Sequence, residues 1–175
     1  MKINRITLIY LFMLTVFSYQ PDFDPEMYLG QWFEIARSKN IPFEKGDNVT
    51  AEYGKLPNGR LSVLNTEYLA DGTKNQARGV ASPAGDNPAH FKVVFDNFYS
   101  RLFPGDYRVL ETNYVDYAIV YSKTNILWFW TIEYAWILAR QPIKSQDRIN
   151  ELLAKVEKLT GIPPESMRIT THDQV

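Results

Sequence analysis

The sequence contains no cysteine and only two histidines, His90 and His172, in 175 residues. The lack of cysteine excludes disulfide bonds, thiol nucleophiles, thiolate metal sites and cysteine-linked lipid anchors, so the core alone must hold the fold together. Two histidines so far apart in the chain do not favour a tight zinc site, and no glycine-rich phosphate loop is present. We therefore expect neither a metal nor a cofactor.

A large excess of one charge and a long hydrophobic run are also absent. The 19 Lys and Arg residues and 20 Asp and Glu residues give a formal net charge of −1, which does not favour a nucleic-acid partner. The apolar run at 6–17 follows Lys2 and Arg5 and is too short to span a bilayer comfortably. We predict a signal peptide at 1–18 and a single domain at 19–175, secreted or periplasmic. A retained membrane anchor is the alternative interpretation of this run.

The chain after this segment is typical of short strands separated by turns. A helical turn is predicted at Pro25, with Asp24 as its cap. Asn58-Gly59 is a strong hairpin signal. Eight strands are predicted at 32–38, 48–55, 61–68, 75–81, 91–95, 107–112, 117–122 and 133–139. Eight consecutive hairpin-linked strands predict an all-β antiparallel meander, either a barrel or a sandwich, and a closed barrel leaves no exposed edges.

One helix is predicted after the strands, between a cap at Ser145 and a terminating Gly161. Its apolar stripe recurs at helical spacing and consists of Ile149, Leu152, Leu153, Val156 and Leu159. The stripe is most simply explained by packing on the outside of a barrel, and a partner-binding helix is the alternative. Residues 168–171 are predicted to form a final short strand.

Three segments carry a resemblance to a known family. The first, 28–36, contains Gly30-x-Trp32 at the start of the first strand; the second is Thr112-Asn113-Tyr114 before the strand at 117–122; the third, 135–140, ends in Arg140. In this order they resemble the signatures of the lipocalin family. The segments 63–65, 70–76 and 170–174 resemble its apolipoprotein D branch, to which bacterial and plant temperature-induced lipocalins are close. The resemblance implies an eight-stranded up-and-down antiparallel barrel with one C-terminal helix packed on its outside.

The resemblance also implies structural rather than ligand-binding roles for Gly30, Trp32, Thr112, Asn113, Tyr114 and Arg140. A barrel brings the first and last strands together, so the Arg140 guanidinium can stack on the Trp32 indole and close one end. Two departures from the family stand out. Asn113 occupies a position that usually carries Asp, although Asn still bonds to nearby backbone and should keep the turn. The cysteines of apolipoprotein D are missing, which bears on thermal stability more than on fold.

Alternation along the strands predicts which side chains face the barrel interior. With Trp32 and Arg140 facing inward, Glu34 and Ala36 also face inward, and the small residues Ala77, Gly79 and Ala81 do so on the fourth strand. Large aromatic residues mixed with small ones leave volume for a ligand. The predicted ligand-binding residues are Tyr53, Val63, Asn65, Phe91, Val93, Phe95, Tyr107, Val109, Val120, Tyr134 and Trp136. Plain core packing is the alternative for each of them.

Glu34 and Glu111 are the unusual residues of the inward set, because a buried carboxylate is costly unless it is paired or protonated. One hypothesis is that the two meet low in the barrel, hydrogen-bonded to tyrosine or water. The other is that the assumed alternation is wrong there and that both face solvent.

Two strongly apolar loops are predicted at the open end, opposite Trp32 and Arg140. Exposed apolar runs mark contact surfaces, and Trp and Tyr favour membrane interfaces. The candidate membrane-contact residues are Phe98, Tyr99, Leu102, Phe103, Leu127, Trp128, Phe129 and Trp130. Alternatively, Trp128 and Trp130 extend the last strand or cover the cavity. A homodimer is a further open alternative.

These observations predict a protein that is not an enzyme and that binds and transports or stores a small hydrophobic ligand. A fatty acid, lysolipid, steroid, retinoid or bilin suits such a cavity, and loading at a membrane surface is an added hypothesis. One alternative is a lipid-metabolising or isomerising enzyme on the same barrel, with Glu34 and Glu111 as acid and base. The other is a protective or structural protein at a membrane surface.

Overall fold

The computed structural model describes residues 19–96, 104–126 and 130–173, so the predicted signal segment lies outside the described residues. A helical turn, α1 (Pro25–Tyr28), comes first. Eight strands follow: β1 (Gly30–Ser38), β2 (Asp47–Lys55), β3 (Leu61–Tyr68), β4 (Lys74–Pro83), β5 (His90–Phe95), β6 (Gly105–Thr112), β7 (Tyr117–Ile126) and β8 (Trp130–Ala139). The helix α2 (Gln146–Thr160) and a last strand, β9 (Met167–Ile169), complete the described chain. The predicted strands and helix are confirmed.

The strands form one antiparallel sheet that closes on itself. Each strand from β2 to β7 pairs with the following strand, and β1 pairs with both β8 and β2. The first residues of β1, Gly30 to Phe33, pair with β2, whereas Ala36 to Ser38 pair with β9. β9 therefore pairs with the part of β1 that no longer pairs with β2, so the backbone groups along that edge of β1 remain hydrogen-bonded.

Local sequence accounts for the sharp turns at the closed end. Asp24 caps α1, because its Oδ1 accepts a hydrogen bond from the Glu26 backbone N–H at 2.9 Å. Asn58 and Gly59 join β2 to β3 with φ of 61° and 69°, the left-handed backbone that Asn-Gly adopts readily. The predicted hairpin is confirmed at this position.

The helix α2 covers the outside of the barrel, as predicted. Ser145 caps its start and Gly161, with φ of 77°, ends it. Its apolar face packs on outward-facing residues of β1, β7 and β8, among them Ile35, Ile119 and Ile137. A second core lies inside the barrel around Trp32, Phe91 and Val120. Within the described ranges, no helix is long and apolar enough to cross a membrane.

Two β-bulges reverse the alternation of side chains, and the inward predictions for Ala36 and Glu111 are therefore wrong. The β1–β8 register shifts between Glu34 and Ala36, and Ala36 packs with Ile137 beneath α2. The β6–β7 register shifts between Val109 and Glu111, and the Glu111 carboxylate pairs with Lys155 of α2 at 2.6 Å. One extra residue in a strand sends every later side chain to the opposite face.

Ala77 lies on the inward face, as predicted, because it pairs with Asn65, which lines the cavity, but it is exposed to solvent. The β4–β5 ladder pairs Gly79 to Pro83 of β4 with Phe95 to Phe91 of β5. Ala77 lies beyond that ladder, towards the mouth, where β5 no longer covers it. Gly79, by contrast, is needed as glycine, since a Cβ there would lie 2.7 Å from the Val94 carbonyl oxygen.

Candidate ligand-binding cavity

Trp32 and Arg140 seal the closed end of the barrel. The Arg140 guanidinium carbon lies 3.8 Å from the centroid of the Trp32 ring. The same guanidinium donates to the backbone carbonyls of Met27 and Gln31, both at 2.9 Å, and of Tyr114 at 3.0 Å. Gly30 passes beside it with φ of 90°, a conformation that strongly favours glycine. The predicted stacking is present, and the polar groups of this pair are used by the fold itself.

The Thr112–Tyr114 segment forms the β6–β7 turn at the same end. The Asn113 Oδ1 accepts hydrogen bonds from the backbone N–H groups of Asp116 at 2.8 Å and Tyr117 at 3.2 Å. The Thr112 hydroxyl donates to the Tyr117 carbonyl at 2.7 Å and accepts from the Tyr114 N–H at 2.9 Å. Asn113 therefore does form the turn in place of the usual aspartate, as we expected.

Above this floor the barrel encloses a cavity of about 300 Å³, which falls at the lower end of the range for small-molecule sites, roughly 300–1,000 Å³. Val109 does not line it and is instead fully buried in the interior core. The other predicted ligand-binding residues all line it, namely Tyr53, Val63, Asn65, Phe91, Val93, Phe95, Tyr107, Val120, Tyr134 and Trp136. That these ten contact a ligand stays a prediction.

Sequence reasoning missed lining residues that lie outside the strands. Tyr28 comes from α1, and Phe43 and Glu44 come from the connection between β1 and β2, which reaches over the mouth. Alternation assigns faces only within strands, so it could not place these three. The signal for Tyr28 was its position in a capped turn four residues before Trp32. Nothing comparable marked Phe43 or Glu44.

Three tyrosine hydroxyls meet at the floor of the cavity. The Tyr107 hydroxyl lies 2.9 Å from that of Tyr28 and 2.7 Å from that of Tyr53. Burial is the main cause that raises the pKa of all three phenols above the ordinary value. The hydroxyls therefore stay protonated at neutral pH and present neutral polar groups to the interior.

A buried polar group lies higher, where β1, β9 and the β1–β2 connection meet. Glu34 pairs with Arg37 at 2.5 Å and accepts a hydrogen bond from the Thr170 hydroxyl at 2.5 Å. Arg37 also donates to the backbone carbonyls of Glu44 at 3.2 Å and Gly46 at 3.0 Å. The connection that carries Glu44 is thereby fixed over the cavity mouth.

Glu44 is held in this position by a partner from β8. Its Oε2 accepts a hydrogen bond from Trp136 Nε1 at 2.9 Å. Burial, reinforced by the negative charge of Glu34, raises the pKa of Glu44 to about 8, against the opposing effects of the Trp136 hydrogen bond and Arg37. The Glu44 carboxyl is therefore mostly neutral at pH 7.

The hypothesis that Glu34 and Glu111 meet in the barrel is wrong. Glu34 lines the cavity, whereas Glu111 accepts hydrogen bonds from Tyr117 and Lys155 on the side of the barrel covered by α2. Although burial opposes it, the contacts with Lys155 and Tyr117 lower the pKa of Glu111. The alternative of an enzyme that uses Glu34 and Glu111 as acid and base is therefore not supported, because Glu111 does not reach the cavity.

The two histidines are likewise engaged in structural contacts. His90 Nε2 lies 2.8 Å from Asp106, and His172 Nε2 lies 2.7 Å from the Glu34 backbone carbonyl. In the part of the chain that the structure describes, no three His, Cys, Asp or Glu residues form a cluster that could hold a metal ion.

Most of the candidate membrane-contact residues lie outside the described residues: Phe98, Tyr99, Leu102, Phe103, Leu127, Trp128 and Phe129. Trp130 is described only in its backbone, which begins β8 opposite Ile126. For Trp130, the alternative that it extends the last strand is therefore confirmed.

Comparisons with known proteins agree with this architecture. The sequence model of the family described as Lipocalin-like domain matches residues 23–172. Apolipoprotein D of Rattus norvegicus is 39% identical over 156 residues, which cover 89% of this chain and 79% of that protein. The outer membrane lipoprotein Blc of Escherichia coli is 37% identical over 139 residues, which cover 76% of this chain and 71% of that protein.

Solved structures give the same result for the fold. Lobster apocrustacyanin A1 superposes with a TM-score of 0.71 at 20% identity, over 86% of this chain and 81% of that chain. At this identity the likeness concerns the arrangement of the strands and not the contents of the cavity.

Proposed function

Because this chain belongs to the lipocalin family, we propose that it binds a small hydrophobic ligand in its barrel cavity and transports or stores it. Members of the family generally serve as binding and transport proteins rather than as enzymes. The observation that carries the proposal is the cavity of about 300 Å³ itself, since a barrel of eight strands can equally be filled by its own side chains.

The composition of the wall supports an apolar ligand. Most lining side chains are aliphatic or aromatic, including Val63, Phe91, Val93 and Val120, with a few polar groups between them. Such walls bind the apolar body of a ligand through burial of its surface, and the polar groups fix its orientation. Fatty acids, lysolipids, steroids, retinoids and bilins are the candidate classes.

Filling the cavity tests this proposal directly. Ala81 lines the cavity and is buried, whereas the next residue, Ser82, points to the other side of the same strand. We expect Ala81→Trp to weaken binding of the uncharged probe N-phenyl-1-naphthylamine at least tenfold, and Ser82→Trp to leave it within about twofold, as read by probe fluorescence. Val63→Phe serves as a milder filling variant if Ala81→Trp does not fold.

Equal binding by wild type and by a folded cavity-filled variant would refute the cavity as the binding site. Native mass spectrometry of the purified protein, followed by lipid extraction, then identifies what occupies the wild-type cavity. A mass difference that disappears in the filled variant supports the proposal.

We further propose that the protein acts outside the cytoplasm and takes its ligand from a membrane surface. The predicted signal segment and the kinship with a bacterial outer membrane lipoprotein support the location. The apolar sequence of the two mouth loops supports membrane contact. Liposome flotation of wild type should exceed that of the double variant Trp128→Ser with Trp130→Ser, and equal or absent flotation of both would exclude this step.

A further inference from the structure

The cavity lining is unbalanced in charge. Among the lining residues that the structure describes, three carry carboxyl groups, Glu34, Glu44 and Asp106, and none is Lys, Arg or His. Asp106 is already paired with cations, since its carboxylate lies 2.9 Å from Lys92 Nζ and 2.6 Å from Arg108 Nε. Nothing in this lining offers a positive charge to a ligand.

Among the residues that the structure describes, Arg37 is the cation that contacts the lining residue Glu34, and its hydrogen bonds go to protein groups. Its Nη1 contacts Glu34 at 2.5 Å and Thr170 Oγ1 at 3.3 Å, and its Nη2 donates to the carbonyls of Glu44 and Gly46. The residue is 1% exposed. A ligand anion could recruit this guanidinium only by displacing Glu34 or by releasing the connection over the mouth.

The polar groups that remain available are uncharged. The hydroxyls of Tyr28, Tyr53 and Tyr107 hydrogen-bond with one another at the cavity floor and carry no charge. The Asn65 Oδ1 lines the cavity, is buried and has no hydrogen-bond partner in the described part of the chain. A ligand hydroxyl or carbonyl can satisfy these groups without bringing a charge into the interior.

We propose that the cavity selects an uncharged apolar ligand that carries a hydroxyl or carbonyl group, and disfavours the carboxylate with the same carbon skeleton. The inference rests on the proposed binding function and narrows its ligand class. Its physical reason is that a carboxylate buried without a cation loses its hydration and gains no compensating partner.

Glu44 makes this selection depend on pH. The groups that face it are Glu34 and Arg37 on β1, Tyr53 on β2, Glu67 on β3 and the Trp136 indole on β8. Because burial raises the pKa of Glu44 to about 8, its carboxyl becomes negative above that pH and repels a nearby ligand carboxylate. The preference for the uncharged ligand should therefore increase from pH 7 to pH 9.

Matched ligand pairs test the inference. All-trans-retinol and all-trans-retinoate, and 1-hexadecanol and hexadecanoate, each compete with N-phenyl-1-naphthylamine for the full-length protein at pH 7.0 and 9.0. For every pair that binds, we expect the alcohol to bind at least tenfold more tightly than the carboxylate at pH 7.0, and the ratio to grow at least a further fivefold at pH 9.0. In Glu44→Gln the ratio should be the same at both pH values. Glu52→Gln, which removes an equivalent charge from the exposed face of β2, should keep the wild-type increase.

Each outcome bears on a separate claim. Equal or tighter binding of the carboxylates at pH 7.0 overturns the selection while leaving the binding function intact. A wild-type increase at pH 9.0 that persists in Glu44→Gln overturns the role of Glu44. Failure of the naphthylamine probe and of every pair to bind refutes the proposed function, and the selection with it.

Discussion

The chain contains two Glu–Arg pairs with the same spacing of three residues but opposite burial. Glu34 and Arg37 lie 2.5 Å apart with side chains 3% and 2% exposed. Arg148 and Glu151 lie 2.6 Å apart with side chains 32% and 54% exposed. Because residue types and distance nearly match, the two pairs contrast a buried ion pair with further hydrogen bonds and an exposed ion pair.

The structure predicts very different costs for removing the arginine from each pair. Arg37→Met leaves the Glu34 carboxylate buried with only the Thr170 hydroxyl, and removes the donors of two backbone carbonyls. We expect the free energy of unfolding to fall by about 3–5 kcal/mol, which lowers Tm by roughly 6–20 °C for a chain of this size. Arg148→Met should cost only about 0.2–1 kcal/mol.

Urea unfolding followed by tryptophan fluorescence measures both costs, and double-mutant cycles isolate the coupling. Glu34→Leu combined with Arg37→Met should recover at least about 2 kcal/mol relative to the sum of the single variants, whereas the cycle at Arg148 and Glu151 should give a coupling below about 0.5 kcal/mol. Similar coupling in the two cycles would refute the reasoning. If Arg37→Met yields no folded protein, Arg37→Lys provides the milder perturbation.

Three further predictions follow from the floor and the mouth of the barrel. Arg140→Lys keeps the charge but cannot reach three carbonyls at once, so urea unfolding should show a loss of about 1–2 kcal/mol; unchanged stability would contradict the sealing role. Tyr107→Phe removes both hydrogen bonds of the tyrosine group and should cost about 1–3 kcal/mol, more than Tyr53→Phe, which removes one; the reverse order would contradict the arrangement. The pKa of Glu44 is raised from 4.5 to about 8 in the folded state, so its contribution to stability is complete below pH 4.5 and is lost as pH rises through about 8, by up to about 1.4 kcal/mol per pH unit. Urea unfolding between pH 4 and 9 should show this decline in wild type and not in Glu44→Gln, and parallel curves would contradict the shift.

The parts of the fold that sequence could predict are those set by local patterns. Asn58-Gly59 favours its turn through its own backbone preferences, and the stripe from Ile149 to Val156 requires a helix with one buried face. Alternation also placed most of the cavity wall, including Phe91 and Val93, because a half-buried strand of a barrel must divide its residues between two faces.

The errors came from features that depend on how the strands pair and on contacts made between loops and strands. The bulges at Glu34–Ala36 and Val109–Glu111 appear only in the register with β8 and β7, and no local pattern marks an extra residue in a strand. Glu44 reaches the cavity on a connection whose path is fixed by Arg37 and by hydrogen bonds from the Lys45 and Gly46 N–H groups to Glu67. Hydrophobic periodicity contains no information about such contacts.

Because the chain has no disulfide bonds, the Glu34–Arg37 pair also matters for holding the C-terminal segment to the barrel. Polar contacts help hold the segment after α2 to the barrel. The Thr170 hydroxyl donates a hydrogen bond to the Glu34 carboxylate at 2.5 Å, and the Asn48 N–H donates to the Thr171 carbonyl at 2.8 Å. Arg37, the cation that contacts Glu34 in the cavity lining, is thus also the residue that joins β1, the mouth connection and the C-terminal segment. An anionic ligand would have to compete with the fold for that cation, whereas an uncharged ligand leaves these contacts in place. In this chain, the preference for an uncharged ligand and the stability of an uncrosslinked barrel therefore have one physical origin.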